Sequence, residues 1–209
     1  MKTHQNMPDT PPPFRSFAIV PAAGRSARMG RPKLLLPWGE RTVIETVLAA
    51  WRASRVETIV VVTRGDDAAL AEVCRHCGVI VASAFPPPPD MKASVRHGLA
   101  FIAQTWQPAP HDVWLVAPAD LPRLSAETID RVLTAYDPRR PEIIVPRTER
   151  RAHPVLFPWS LADEVERLPA DTGIDGLLRR HAVREVHVEA TAAAGDDLDT
   201  PEDYERLRP

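Results

Sequence analysis

Cysteine and lysine are scarce in this sequence of 209 residues. Its two cysteines are too few for a disulfide-stabilised scaffold, which needs several bridges. Lysine stands at three positions, whereas arginine stands at 23. Because lysine offers a compact point charge and arginine a planar fork, the retained lysines, above all Lys33, indicate positions that need the compact charge.

An excess of one charge and a long apolar run are also lacking. The 26 basic and 28 acidic residues leave a formal charge of −2, which argues against a nucleic-acid binder, since such proteins carry a basic excess. No run of about 18 apolar residues occurs, so we expect no membrane span. Residues 1–15 lack the apolar segment of a secretion signal. The sequence thus predicts a cytoplasmic protein with a disordered Pro-rich tail over 1–15 and a single domain over 16–209.

Short apolar runs alternate with amphipathic segments along the chain, and this alternation indicates the fold class. The predicted strands cover 17–20, 58–62, 79–81, 113–116, 143–145, 154–157 and 183–188. The predicted helices cover 42–53, 66–77, 94–106, 160–168 and 174–181, with two more that begin after Ser125 and Thr200; Asp66, Ser125 and Thr200 are the expected N-caps. The pattern predicts an α/β fold, a three-layer α/β/α sandwich around a mostly parallel sheet.

The loop after the first predicted strand, residues 20–33, has the composition of a phosphate-binding loop. Gly24 and Gly30 permit backbone conformations in which successive N–H groups converge on phosphate oxygens. Ligands of such sheets bind beyond the carboxyl ends of the strands, where this loop lies. Its cations are Arg25, Arg28, Arg31 and Lys33. The alternative, from the residues alone, is an ordinary basic surface loop.

Spacing excludes two well-known phosphate loops. The Walker pattern needs four residues between its glycines and a lysine directly after the second. Here five residues separate Gly24 from Gly30, and Lys33 comes three positions later. The dinucleotide pattern G-x-G-x-x-G also fails, because Ser26 stands at its second glycine.

The pattern A-A-G-x-S-x-R-M-G-x-P-K, from Ala22 to Lys33, resembles the signature of MobA-like nucleotidyltransferases. Within that family the chain is most similar to molybdenum cofactor cytidylyltransferases, and L-L-L-P at 34–37 and T-V-I-E at 42–45 continue the similarity. The resemblance implies a Rossmann-like, GT-A-like fold and a loop that wraps a triphosphate. The nucleotide-binding residues that it implies are Ala22, Ala23, Gly24, Arg25, Ser26, Arg28, Met29, Gly30, Lys33 and Ser94.

Asp120 follows the predicted strand 113–116 and is flanked by Pro118 and Pro122. A carboxylate at the carboxyl end of a strand is well placed to bind Mg²⁺, although turn and helix-capping aspartates are as common there. The family resemblance favours the metal role. It also implies that Arg25 and Lys33 bind phosphates, so that these two and Asp120 form the catalytic group.

The acidic segment 196–203 precedes the last predicted helix. On its own such a segment is most often a solvated helix cap. It resembles, however, the family's C-terminal D-x-D-T-P-E-D motif, in which the acid before Thr-Pro binds metal. The resemblance therefore implies that Asp199 is the second metal ligand, with Asp197 a weaker candidate.

Five further positions carry weaker signals. On local grounds Ser94 is an N-cap, whereas the resemblance implies contact with the base or ribose. His153 is either structural or, by the same resemblance, a residue that binds the acceptor substrate. Asp175 stands where the family commonly has arginine, which bears on recognition of an anionic acceptor. The C-x-x-C of Cys74 and Cys77 lacks a second ligand pair for zinc, so these cysteines are expected to be buried or incidental.

The resemblance implies an enzyme that transfers CMP from CTP to molybdopterin with release of pyrophosphate, using Mg²⁺. The Ala-Ala-Gly start at 22–24 is typical of relatives that use CTP or UTP, although Pro21 replaces the usual aliphatic residue before it. The product would mature molybdenum hydroxylases, with the apo-enzyme or its chaperone as partner. Three alternatives remain: another nucleotide such as GTP or UTP, a sugar- or polyol-phosphate acceptor, and a non-catalytic cofactor carrier.

Overall fold

The computed structural model describes residues 13–149, 151–188 and 197–209. Runs of buried aliphatic and β-branched residues form its main sheet. The strands are β1 (Ser16–Pro21), β2 (Pro37–Trp38), β3 (Arg41–Thr42), β4 (Thr58–Arg64), β5 (Ile80–Ala84), β6 (Val113–Val116), β7 (Ile143–Arg147), β8 (Val155–Pro158) and β9 (Val183–His187).

Helices connect these strands. They are α1 (Val43–Ala53), α2 (Ala68–His76), α3 (Met91–Trp106), α4 (Ala126–Ala135), α5 (Ala162–Arg167) and α6 (Pro201–Leu207). Short 3₁₀ turns occupy Lys33–Leu35, Trp159–Leu161 and Ile174–Arg179. The last of these replaces the helix predicted over 174–181.

The main sheet has the strand order β5-β4-β1-β6-β8-β7-β9, and β2 and β3 form a separate antiparallel pair. All of its pairings are parallel except those of β8, which runs antiparallel to both β6 and β7. The ring of Trp114 in β6 stacks on that of Phe157 in β8, with centroids 4.2 Å apart. The prediction of a mostly parallel α/β sheet is confirmed.

Two apolar cores lie on opposite faces of the sheet and complete the three layers. Helices α1, α2, α4 and α6 contribute to one core, and α3 and α5 contribute to the other. Helix α3 lies very close to the sheet at Gly98, where a Cβ atom would come within 2.9 Å of Ile19 Cγ2. The small residue thus lets α3 sit directly over β1.

Capping residues determine where several helices begin. Thr42 and Glu45 form a capping box at α1, and the expected cap Thr200 forms another with Asp203 at α6. The hydrogen bonds from Thr200 and Arg206 hold the pKa of Asp203 at about 2.

Two of the predicted helix starts are wrong. The side chain of Asp67, not Asp66, accepts the hydrogen bond from Leu70 N at the start of α2. Asp90, not Ser94, caps α3, so that helix begins three residues earlier than predicted. In both places two good capping residues stand close together, and residue type alone does not choose between them.

The first described residues pack onto the domain. Phe14 contacts Tyr136 edge to face, and Arg15 binds the buried carboxylate of Asp112 through its backbone N–H, Nε and Nη2. The packed chain therefore starts at least two residues before the predicted boundary at 16. The rest of the predicted tail, residues 1–12, lies outside the described residues.

None of the helices in the described ranges is long and apolar enough to cross a membrane.

The two cysteines lie at the end of α2 with free thiols, and Cys74 is fully buried. Burial raises the pKa of Cys74 to about 12 and also raises the pKa of Cys77. Because the thiolate is the reactive form, we expect both thiols to react slowly with a disulfide reagent at pH 8 in the native protein, and faster as the pH rises. Thiol titration with and without guanidinium measures this; rapid labelling of both native cysteines would contradict it.

Candidate active site

A cavity of about 660 Å³ opens at the carboxyl ends of β1 and β6. Its walls come from the loop after β1, the segment before α3, the turn after β6 and the chain before α6. The residues that line it are Pro21, Ala22, Ala23, Gly24, Arg25, Ser26, Ala27, Arg28, Lys33, Leu34, Pro87, Pro88, Pro89, Asp90, Met91, Ser94, Pro118, Ala119, Asp120 and Asp199. The structure thus brings together most of the residues that the sequence predicted for a nucleotide site.

The loop after β1 is folded around Ser26. Ser26 has a positive φ of 50°, and its carbonyl oxygen accepts hydrogen bonds from the N–H groups of Met29 and Gly30. Its hydroxyl accepts a hydrogen bond from the backbone N–H of Lys33 (3.3 Å). These bonds close the loop into a compact turn and bring Lys33 back towards the end of β1.

Arg64, at the end of β4, holds the other side of this loop. Its guanidinium donates to the carbonyl oxygen of Gly24 (3.1 Å) and to the carboxylates of Asp66 and Asp67. The hydrogen bond from Arg64 lowers the pKa of Asp66. Arg64 was not among the predicted site residues. It follows an apolar run that pairs with β1, and that position is the signal that points to it.

At the base of the cavity the ammonium group of Lys33 lies between two carboxylates. Lys33 Nζ is 2.5 Å from Asp120 Oδ2 and 3.3 Å from Asp199 Oδ1. The side chain of Lys33 is only 13% exposed and that of Asp120 only 16%, so this interaction is largely shielded from solvent. The two carboxylates carry one more charge than Lys33 balances, and the exposed Arg28 supplies the second positive charge through Asp199 Oδ2.

Buried neighbours hold the two carboxylates in place. The N–H of Ala119 donates to the carbonyl oxygen of Pro21, which joins the turn after β6 to the end of β1. The fully buried Leu198 donates its N–H to the carbonyl oxygen of Asp120, and so places the following residue, Asp199, beside it. Asp196 of the predicted acidic segment lies outside the described residues.

One carboxylate oxygen of Asp120 is suited to bind a metal ion. Asp120 Oδ1 is buried and has no hydrogen-bond partner within the described ranges. A buried carboxylate oxygen without a partner is costly, and a bound cation satisfies it. Groups of three or more His, Cys, Asp or Glu side chains that would hold a metal do not occur in the described part of the chain. The described residues thus offer two carboxylates here, fewer than the roughly six to eight oxygen ligands of a typical Ca²⁺ site or the octahedral set of Mg²⁺.

Two exposed arginines border the cavity. Arg25 lies 3.9 Å from Asp66, and Arg28 lies 3.0 Å from Asp199 Oδ2. Both side chains are about 70% exposed, so either can leave its carboxylate for an incoming anion at small cost.

The opposite wall is formed by the proline segment and the start of α3. Pro87, Pro88 and Pro89 line the cavity, and no motif in the sequence points to them as part of the site. Ser94 also lines it and is buried. Since the Ser94 hydroxyl donates to the carbonyl oxygen of Asp90 (3.1 Å), its interpretation as an N-cap is wrong, and its oxygen remains able to accept a hydrogen bond.

Met29 and Gly30, which the family resemblance places at the nucleotide, lie away from the cavity wall. Met29 is buried in the core that α1, α2, α4 and α6 share, and Gly30 forms an exposed turn with φ of 68°. Neither is part of the cavity wall that the described residues form.

His153 lies in a second, adjoining cavity of about 320 Å³. Met91, at the first position of α3, lines both cavities. Burial lowers the pKa of His153, whose ring nitrogen Nδ1 donates to the carbonyl oxygen of Val116 (3.4 Å). The second cavity is largely apolar, with Asp175 and Arg151 among its polar residues.

Comparison with known proteins identifies one family across most of the chain. The model of the MobA-like NTP transferase domain matches residues 18–186. That range contains the loop after β1, Lys33, Asp120 and the second cavity, while Asp199 lies beyond it.

Curated relatives differ in what their names say they do. The chain is 27% identical over 204 residues to the nicotine blue oxidoreductase of Paenarthrobacter nicotinovorans, covering 90% of this chain and 94% of that protein. It is 29% identical over 138 residues to a probable molybdenum cofactor guanylyltransferase of Bacillus mycoides, covering 66% and 64%. It is 31% identical over 143 residues to the 2-C-methyl-D-erythritol 4-phosphate cytidylyltransferase of Streptomyces coelicolor, covering 63% and 50%.

Proteins of known structure share this fold. Rv0371c from Mycobacterium tuberculosis superposes with a TM-score of 0.75 at 29% identity, covering 93% of this chain and 98% of that one. The same protein has been solved in complex with manganese, and that structure gives a TM-score of 0.72 at 28% identity over the same shares of the two chains.

Proposed function

We propose that this chain, which belongs to the MobA-like NTP transferase family, transfers CMP from CTP to a molybdopterin-type cofactor and releases pyrophosphate. Nucleotidyl transfer is the activity that the name of the family and the names of two relatives state, whereas the relative from Paenarthrobacter nicotinovorans is named an oxidoreductase. We further propose that the nucleotide is CTP, that the cation is Mg²⁺ and that the acceptor is molybdopterin.

The observation that carries the proposal is the cavity beside β1 and β6. It combines a loop of small residues with exposed arginines, and a buried lysine with two carboxylates. The small residues allow a triphosphate to approach the backbone, and the cations match its charge. A non-catalytic carrier has no need for a partly buried group of one lysine and two acids, whose charges are costly to shield from water.

CTP is favoured by the Ala-Ala-Gly sequence at 22–24, which resembles that of CTP- and UTP-using members. Ala22 and Ala23 are buried, and Gly24 is open to the cavity, with no atom within 4 Å of where a Cβ would stand. The cytidylyltransferase from Streptomyces coelicolor supports this choice, whereas the guanylyltransferase from Bacillus mycoides makes GTP the main alternative.

Asp120 and Asp199 are the residues that would hold Mg²⁺. The partnerless Oδ1 of Asp120 and the hard oxygen donors of both side chains fit this cation. When bound, Mg²⁺ supplies positive charge that offsets the negative charge of the phosphate oxygens. The manganese complex of the similar Rv0371c supports a divalent cation in a protein of this fold.

In the proposed reaction an oxygen of the acceptor's phosphate attacks the α-phosphorus of CTP. The bond from the α-phosphorus to the bridging oxygen breaks, and that oxygen leaves with pyrophosphate. The chain has to bind the triphosphate, orient it in line with the attacking oxygen and stabilise the leaving group. Lys33 and Arg25 stabilise the charge that develops on pyrophosphate, and Arg28 moves from Asp199 to a phosphate oxygen.

The second cavity is the proposed place of the acceptor. It adjoins the first cavity at Met91, so an acceptor seated there lies next to the proposed nucleotide site. His153 lies in its wall and is the proposed acceptor-binding residue. Asp175 replaces a common family arginine there, and it is paired with Arg179 (2.9 Å).

Pyrophosphate release tests the proposal. The protein is supplied with Mg²⁺ and CTP, GTP, UTP or ATP in turn, each with and without molybdopterin cofactor. We expect release with CTP and only when the cofactor is present, because the acceptor supplies the attacking oxygen. Product should contain CMP and the cofactor in equal amounts.

Other outcomes point to the alternatives. Release with GTP alone among the nucleotides would replace the cytidylyltransferase by a guanylyltransferase. Release with CTP and a sugar or polyol phosphate, but not with molybdopterin, would overturn the acceptor. Binding of CTP without release under any condition would favour the non-catalytic carrier.

A further inference from the structure

Lys92, in the first turn of α3, makes a set of contacts that the proposed reaction does not use. Its ammonium donates to three backbone carbonyl oxygens of one turn, those of Pro169 (2.6 Å), Ala170 (3.1 Å) and Thr172 (2.9 Å). This turn is 77 to 80 residues away in sequence. A single side chain thus fastens the start of α3 to the segment that follows α5.

The chemistry of this contact requires lysine. An ammonium has three N–H donors on one tetrahedral atom and can satisfy three carbonyl oxygens that converge on it. The five donors of an arginine lie in one plane and cannot converge in this way. In a chain with three lysines and 23 arginines, the presence of lysine at position 92 agrees with this geometry.

The turn that Lys92 holds supports one wall of the second cavity. Thr172 N donates to the carbonyl oxygen of Pro169, which closes the turn. The turn packs tightly on the following 3₁₀ segment, Ile174–Arg179, because a Cβ at Gly176 would lie 2.5 Å from Thr172 Cγ2. Gly173, Ile174, Asp175 and Leu178 of this region line the second cavity.

We propose that Lys92 is a positioning residue for the acceptor: it fixes the turn 169–172, and through it the wall of the second cavity, relative to the nucleotide cavity. The start of α3 is the element that the two cavities share, with Ser94 facing the first cavity, Lys92 facing the second and Met91 facing both. The inference rests on the proposed function, since it takes the second cavity as the acceptor site.

Kinetics of two variants test the positioning role. In Lys92→Ala we expect the KM for the acceptor to rise about tenfold, with kcat and the KM for the nucleotide changed less than about twofold, because the wall that holds the acceptor loses its charged support. Lys92→Arg should behave like Lys92→Ala, because it keeps the charge but not the three-donor geometry. Full activity of Lys92→Arg would overturn the inference.

Chemical rescue of Lys92→Ala shows whether the N–H donors of Lys92 or only its positive charge support the turn. Propylammonium replaces the part of the side chain that Lys92→Ala lacks, so it should lower the acceptor KM of this variant towards the wild-type value. Propyltrimethylammonium carries the same charge without N–H donors and should have no such effect. Equal rescue by both ions, or by neither, would contradict the assignment of the three hydrogen bonds.

A matched control and an activity-independent readout complete the test. Arg96 lies one turn further along α3 and pairs with Glu166 of α5, so Arg96→Met removes a cation from the same helix without touching the turn. Amide hydrogen exchange at Thr172 should be faster by about tenfold in Lys92→Ala and unchanged in Arg96→Met.

The outcomes distinguish failure of this inference from failure of the proposed function. If the wild-type protein turns over and the acceptor KM of Lys92→Ala is unchanged, the inference is wrong while the function stands. If the wild-type protein releases no pyrophosphate, the function fails; the exchange at Thr172 then decides whether Lys92 holds the turn.

Discussion

Replacing Asp120 with asparagine is expected to lower kcat for nucleotidyl transfer by about 10³-fold, or ~4 kcal/mol in the activation free energy. Asparagine keeps the size of the side chain and removes its charge. Asp120 contacts Lys33 through Oδ2 and leaves Oδ1 buried without a partner, so the substitution weakens both the lysine contact and the proposed cation site. A loss on this scale follows only if the carboxylate acts during the reaction.

The measurement is pyrophosphate release by Asp120→Asn at saturating CTP, acceptor and Mg²⁺, together with its melting temperature. Asp163→Asn is the matched control, since Asp163 is an exposed carboxylate in α5 away from both cavities. We expect this control to retain wild-type activity. An Asp120→Asn protein that melts like the wild type and keeps its kcat would exclude Asp120 from the reaction.

Lys33→Met has the second largest expected effect, a fall in kcat/KM by about 10²-fold to 10³-fold. Methionine keeps the length of the apolar stem but has no charge to stabilise pyrophosphate. The same change leaves Asp120 and Asp199 without the ammonium between them. Divalent cations should therefore raise the melting temperature of Lys33→Met more than that of the wild type, because the competing positive charge is gone.

Arg31→Met provides the control in the same loop. Arg31 is exposed and lies over the ring of Tyr204, 5.6 Å from its centroid, outside the walls of the nucleotide cavity. Its loss should change kcat/KM by less than about threefold, because a distant exposed charge is screened by solvent. Equal losses in the two variants would indicate that only the total charge of the loop matters.

The strands were the most predictable part of the fold. Buried runs such as 113–116 are short, apolar and bounded by turn residues, and the structure places β6 on those same residues. The order of the strands was not predictable, because a local pattern does not say which strands are neighbours. The antiparallel direction of β8 depends on contacts such as Trp114 with Phe157, which are 43 positions apart in sequence.

The site residues that directly follow a strand could be predicted from the sequence. Asp120 closely follows β6, the parallel neighbour of β1, so the topology places it at the edge where the loop after β1 begins. Lys33 reaches Asp120 only because that loop turns back around Ser26. The position of Asp199 came from the family resemblance, because nothing local links the last helix to β6. Arg64 was missed because its role exists only once β4 lies beside β1.

The three prolines that form one wall of the nucleotide cavity have a consequence for binding thermodynamics. The pyrrolidine ring fixes φ at each of Pro87, Pro88 and Pro89, so this wall has few conformations to lose when a ligand arrives. A flexible loop in the same place would lose about 1–2 kcal/mol of backbone entropy per ordered residue upon binding. Here most of this backbone entropy is lost when the protein folds. The free protein therefore already has the wall conformation to which the nucleotide would bind.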